Sequence, residues 1–285
     1  MRPSWLASLV VPAIVATLPG CEDTKKLQEQ AAVDVLAKIV PVAKEDAAQV
    51  RRGLPEGAKK LGELVDTDPG MNLLALQRAI RGARAAVKDL DVAKSTFFSF
   101  ADTTGIVLRS EADPDSLAQK SILVPFPALK KALDPSAGVV EVWGEMPEIR
   151  GVRNGPDQQW VAAHPVKDKD GQVKGMFVTG WSFRRLVFHL EDMAKRELNE
   201  WAQREKRKSL PIVYVFVVKD GKAYGAPVTP DVNAQAVEGL DLPSKTQGGS
   251  FRGSIEITGR SFGVAAERTP ELGEGAILAI IASAV

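Results

Sequence analysis

Phe100-Ala101-Asp102-Thr103-Thr104-Gly105-Ile106-Val107-Leu108-Arg109 decides the fold of this chain. A run of apolar and β-branched residues, a polar turn closing on glycine and a second apolar run predict two short antiparallel strands. The same logic recurs at Pro165-Val166-Lys167-Asp168-Lys169-Asp170-Gly171-Gln172-Val173-Lys174-Gly175, where Gln159–His164 and Val173–Thr179 flank a polar turn. It recurs again at Ile212–Val218, Lys219-Asp220-Gly221-Lys222 and Ala223-Tyr224. Phe262–Ala266 follows a Thr258-Gly259-Arg260 turn as one more hairpin.

Outward from these strands the period lengthens. Leu73, Leu76, Ile80, Ala83, Val87 and Leu90 repeat at three and four residues, as one amphipathic helix does, after an Asp68-Pro69 start signal. Arg78, Arg81, Arg84 and Lys88 on its other side read as a solvated face. Ser182 is placed to cap a helix carrying Leu186, Leu190, Met193, Leu198 and Trp201. Before residue 70 the chain also reads helical, with Pro41 interrupting it and Pro55 and Gly57 weakening the second half. Val161-Ala162-Ala163 echoes Val264-Ala265-Ala266, and Met176-Phe177-Val178 echoes Ala276-Ile277-Leu278. These echoes suggest a duplicated module.

The order helix, strand, turn, strand, short helix and late hairpin resembles the Cache family of extracytoplasmic sensor domains, which have PAS-like folds. The resemblance covers roughly residues 71–195 and extends more loosely to the second half. It implies an α+β fold: an N-terminal helical region, then two PAS/Cache-like antiparallel-sheet modules joined by a helix. The expected divisions are 1–20 as a signal segment, 21–70 as a helical tether, 71–208 as the first module and 209–285 as a second, smaller one.

Arg2, the apolar stretch Trp5–Ala16 and Leu18-Pro19-Gly20-Cys21 resemble a bacterial lipoprotein signal, which implies acylation of the Cys21 thiol and membrane attachment through the acyl chains. Cys21 is the only cysteine, so there is no intramolecular disulfide and no cysteine-based metal site. The expected location is the periplasmic side of an inner or outer bacterial membrane. The run Ala276–Val285 is too short to span a bilayer and reads as a buried strand.

The formal net charge of +1 falls to zero once Arg2 is removed, which argues against a nucleic-acid partner. No nucleophile elbow or glycine-rich phosphate cradle is present, and two histidines are too few for a zinc centre. Asp168-Lys169-Asp170-Gly171 begins like a calcium loop, but the twelfth position is Thr179 rather than glutamate. The chain therefore reads as a non-enzyme without metal or cofactor. His189 reads as an ordinary helix residue. Candidate ligand-binding residues are Trp143, Arg150, Trp160 and His164, which combine apolar surface with a few polar groups. The expected function is a small-molecule sensor reporting to a membrane signalling partner. The alternative is an envelope scaffold or assembly protein without a small ligand, and a hydrolase stands third.

Overall fold

The computed structural model describes residues 20–67, 72–146, 157–207 and 210–283. Its spine is α1 (Gly20–Thr67), 48 residues long. Ala31, Val35, Ile39, Ala43, Ala47, Val50, Leu54, Ala58 and Leu61 are all buried along it, at spacings that hold one stripe toward the protein. Pro41 and Pro55 lie inside this helix and do not end it. Each removes a backbone donor and crowds the preceding turn, at about 3 kcal/mol, which burial along almost the whole helix offsets. The expected interruption at Pro41 is thereby corrected.

α2 (Leu73–Ala85) starts at Asn72, whose Oδ1 accepts from Leu74 N at 3.0 Å and Ala75 N at 2.9 Å. The Asp68-Pro69 signal lies outside the described residues. The helix expected to continue to Leu90 is broken by extended Val87 and resumes as α3 (Lys88–Val92). Its basic side is only partly solvated. Arg81 Nε donates to Glu111 O at 2.9 Å, and Arg84 pairs with the Glu111 carboxylate at 2.7 Å while lying over Phe98.

The strands are β1 (Phe97–Asp102), β2 (Val107–Ser110), β3 (Val140–Met146), β4 (Asp157–Lys167) and β5 (Val173–Ser182). They form one antiparallel sheet in the order β2-β1-β5-β4-β3. After α4 (Phe183–Arg204), the strands β6 (Ile212–Lys219), β7 (Lys222–Gly225), β8 (Ser250–Ile257), β9 (Arg260–Arg268) and β10 (Ile277–Ser283) form a second sheet. Its order, β7-β6-β10-β9-β8, is that of the first. Asp102 explains the first hairpin: its Oδ1 accepts from Thr104 N at 2.8 Å and Ile106 N at 3.0 Å, and Gly105 supplies φ +83°. The cap at Ser182 forms as expected, with its hydroxyl accepting from Arg185 N at 3.0 Å.

The duplication is a true repeat, but one echo is shifted. Ala163 pairs with Val178, and Ala266 pairs with Ala279. Met176 therefore corresponds to Ile277 rather than Ala276. The shifted assignment would turn every β10 side chain to the wrong face. Inner faces of both sheets, α1 and α4 share one core. The outer face of the first sheet is closed by Phe126, Leu129 and Ala132 from the segment around the 3-10 turn Pro127–Leu133. That of the second is closed by α5 (Asp231–Glu238) and α6 (Leu242–Lys245), neither of which the strand pattern announced.

The segment expected as a tether thus runs along both modules. Its N-terminal half lies on the second sheet, where Gln28 Nε2 reaches Ser283 Oγ at 3.4 Å and Lys44 pairs with Glu267 at 3.2 Å. Its C-terminal half lies on the first, where Gly62 touches the carbonyl of Lys167.

Candidate functional site

Trp143, Trp160 and Trp181 occupy paired positions on β3, β4 and β5, forming a row across the first sheet. Trp160 and Trp181 are fully buried, with ring centroids 4.3 Å apart. The row faces α1, and a charged clasp closes over it. Arg51 of α1 donates from Nε to Glu141 Oε1 at 2.6 Å and from Nη2 to Glu141 Oε2 at 2.8 Å. The same Nη2 donates to the carbonyl of Glu271 at 2.7 Å, and Trp160 Nε1 donates to Glu141 Oε2 at 2.9 Å. Glu141 draws the Arg51 pKa above its ordinary value, chiefly through these hydrogen bonds. One arginine therefore ties α1, the first sheet and the second module together.

Trp143 adds a second tie, donating from Nε1 to Leu272 O at 2.8 Å. Gly273, at φ +134°, is packed so closely beneath that indole that an added Cβ would lie 2.6 Å from its Nε1. Among the described residues, Trp143 and Trp160 are thus engaged in the junction between modules. Their polar atoms already have protein partners, and the residues supplying those partners are distant in sequence.

His164 lies on the same face of β4 as Trp160, four residues and ~13 Å further along the strand. There the sheet and helix part to leave an open cavity of about 580 Å³, with Pro55, Lys59 and Glu63 on the α1 side and His164, Lys167 and Lys169 opposite. His164 Nδ1 lies 3.1 Å from the carbonyl of Pro165. Burial lowers the imidazole pKa, the Pro165 contact opposes this and Lys167 adds to it, so the site favours the neutral ring. Asp168 is committed to its own turn, where Oδ1 accepts from Asp170 N at 3.0 Å and Gln172 N at 2.8 Å. Its other oxygen pairs with Lys174 at 2.8 Å. These bonds explain the turn without calcium.

The cavity is of ligand size and mixes proline surface with lysine, glutamate and imidazole groups. The opposite face of the same sheet is packed among the described residues. Its edge holds a space of about 140 Å³, beside Thr96, Phe97, Ser110 and Leu117. Arg150 falls outside the described residues, and Cys21 lies in the first turn of α1. Among the described residues no group of three acidic, histidine or cysteine side chains is placed to hold a metal ion. No described helix is long and apolar enough to cross a membrane.

Sequence reading did not single out Arg51, Glu141, Lys59 or Glu63. Arg51 and Glu141 are 90 positions apart, and no local spacing links them. Only the repeat held a clue: the positions equivalent to Trp160 and Trp181 are Gly263 and Ala282 in the second module. Small residues let α1 sit tightly on the second sheet, whereas the tryptophans fill a wider gap over the first.

No protein-family model and no curated protein matches this chain. Solved structures do. The extracellular domain of a protein named as a histidine kinase aligns with a TM-score of 0.60 at 11% identity, over 92% of this chain and 93% of its own. A domain of a sensory box/GGDEF family protein from Vibrio parahaemolyticus aligns at 0.57 and 12% identity, over 92% of this chain and 96% of its own. An extracellular ligand binding receptor from Desulfohalobium retbaense aligns at 0.53 and 12% identity over 87% of this chain, which spans only 39% of that receptor. At these identities the likeness is one of fold: two antiparallel-sheet modules joined by a helix, consistent with tandem PAS/Cache-like modules.

Proposed function

We propose that this chain is a non-catalytic sensor lipoprotein of the bacterial envelope, anchored through acyl chains on Cys21 and reporting ligand occupancy to a membrane signalling partner. The ligand site is the cavity between α1 and the β4–β5 turn, with His164, Lys59 and Lys167 as its polar groups. One observation carries this reading. The cavity is walled by α1 itself, so whatever fills it bears on the helix whose first turn holds the anchoring residue. The Arg51–Glu141 clasp supplies the connection from that wall to the second module. Trp143 and Trp160 belong to this connection, and Arg150 keeps its proposed place as a ligand contact from the segment beyond β3.

A thermal-shift screen of the full chain in detergent, against amino acids, organic acids, purines and polyamines, tests the proposal. A ligand at 100 times its Kd adds ~2.7 kcal/mol to native-state stability. At roughly 2–4 °C per kcal/mol, Tm rises by about 5–10 °C. His164→Ala combined with Lys59→Ala is expected to abolish the rise while leaving the unliganded Tm within about 2 °C, since exposed and half-buried polar groups contribute little to stability.

The packed outer face of the first sheet, closed by Phe126 and Leu129, favours the second reading, an envelope scaffold without a small ligand. A flat response across the screen, followed by crosslinking to an envelope protein, would select it.

A further inference from the structure

Where α1 crosses α4, Asp46 is only 5% exposed, and its Oδ2 has no hydrogen-bond partner among the described residues. His189 Nε2 of α4 lies 3.8 Å from that oxygen. That distance is too long for a hydrogen bond and short enough to become one after a small movement of either helix. An uncompensated buried carboxylate is costly, so the contact gains wherever a proton is available to neutralise or bridge it. His189 is one-third exposed and borders an open groove of about 590 Å³, which gives protons access from solvent.

We propose that Asp46 and His189 form a proton-binding site that sets how tightly α1 packs against α4, so that acidification of the envelope tightens this contact. The pair is separate from the ligand cavity and from the Arg51 clasp. The charged groups around it are Glu45 on α1, Lys94 before β1, and Arg185, Asp192 and Arg196 on α4, with Arg84 and Asp91 across the groove.

Burial pushes the Asp46 carboxyl up to about 6, with Glu45 adding to the rise and Lys94 opposing it. Its contribution to stability is complete below the ordinary carboxylate value of 3.8 and is lost as pH rises through about 6. Burial lowers the His189 pKa, Lys94 and Arg196 add to this, and Asp192 opposes it. Its contribution has the opposite sign: present above 6.5 and lost as pH falls through its lowered value. The carboxylate therefore takes up its proton as pH falls through about 6, and burial favours the neutral imidazole beside it.

The test compares the full chain with Asp46→Asn. The variant is expected to melt several degrees higher than wild type at pH 7.5, with the difference shrinking to near zero by pH 5. Hydrogen exchange in α1 around residue 46, corrected for intrinsic rates, should slow on acidification in wild type and not in the variant. A melting difference constant from pH 5 to 7.5 would overturn the proposal, as would exchange that responds equally in both. Should Asp46→Asn fail to fold, the carbon NMR titration of the wild-type Asp46 carboxyl decides. A midpoint near 6 supports the site, and one below 4.5 rejects it.

Discussion

Gly263→Ala is expected to destabilise the protein by about 3 kcal/mol or more. An added Cβ would lie 2.1 Å from the backbone carbon and oxygen of Gln28 and 2.4 Å from Glu29 N. These are main-chain atoms of α1, with no flexible side-chain end to yield. Overpacking a core commonly costs about 1–3 kcal/mol when side chains can adjust. Here the helix itself must lift from β9, where α1 and the second sheet make their closest approach. The expected fall in Tm is about 6–12 °C at 2–4 °C per kcal/mol, measured by scanning calorimetry. Gly248→Ala, in the same module with nothing within 4 Å of the added Cβ, is the matched control and should be silent. Equal melting of the two variants would place α1 elsewhere than on β9.

Glu141→Ala comes next. It removes both carboxylate oxygens from Arg51 and leaves the buried Trp160 N–H without its acceptor. Charge-assisted bonds of this kind contribute ~1.5–3 kcal/mol each in buried settings. Arg51 keeps about a third of its side-chain exposure, so solvent recovers part of the loss. We expect a net cost of about 3 kcal/mol, read as a lower urea midpoint. Arg51→Met with Glu141→Leu should recover much of it, because an apolar pair leaves no unpaired charge behind. A single variant as stable as wild type would mean that the clasp is ornamental.

The two sites differ in how they arise from sequence. The hairpins at Asp102–Gly105 and Asp168–Gly171, the cap at Ser182 and the repeat of Val161-Ala162-Ala163 at Val264-Ala265-Ala266 are local patterns. Local chemistry dictates them, and they form at the expected positions. The continuity of α1 through Pro41 and Pro55 is not local. Its cost is met by packing against elements more than a hundred residues away, such as β9 and β10. For the same reason a single helix to Leu90 is the wrong extrapolation, since Val87 takes an extended conformation that lets α3 turn against Gly53 and Gly57 of α1.

The candidate site divides along the same line. His164 reads in sequence as the end of its strand, but β4 continues through Pro165 to Lys167, and His164 borders the cavity from within it. Trp143 and Trp160 are aromatic residues on the correct face, yet burial and hydrogen bonds to Leu272 and Glu141 make them part of a junction. Nothing in their spacing distinguishes a tryptophan that waits for a ligand from one that already has a partner. Likewise His189 looks ordinary in sequence because Asp46 is far away along the chain, and only the crossing of α1 and α4 brings them to 3.8 Å.

The most direct measurement of the central claim is hydrogen–deuterium exchange on the full chain, with and without a compound that raises its Tm. Occupancy of the cavity predicts slower exchange in α1 over residues 55–63 and in the turn over residues 164–169, with a smaller change spreading to Arg51 and Glu141. Protection confined to the opposite face of the sheet, around residues 114–126, would contradict the assignment of the site. It would also separate ligand binding from the helix that is proposed to carry its signal.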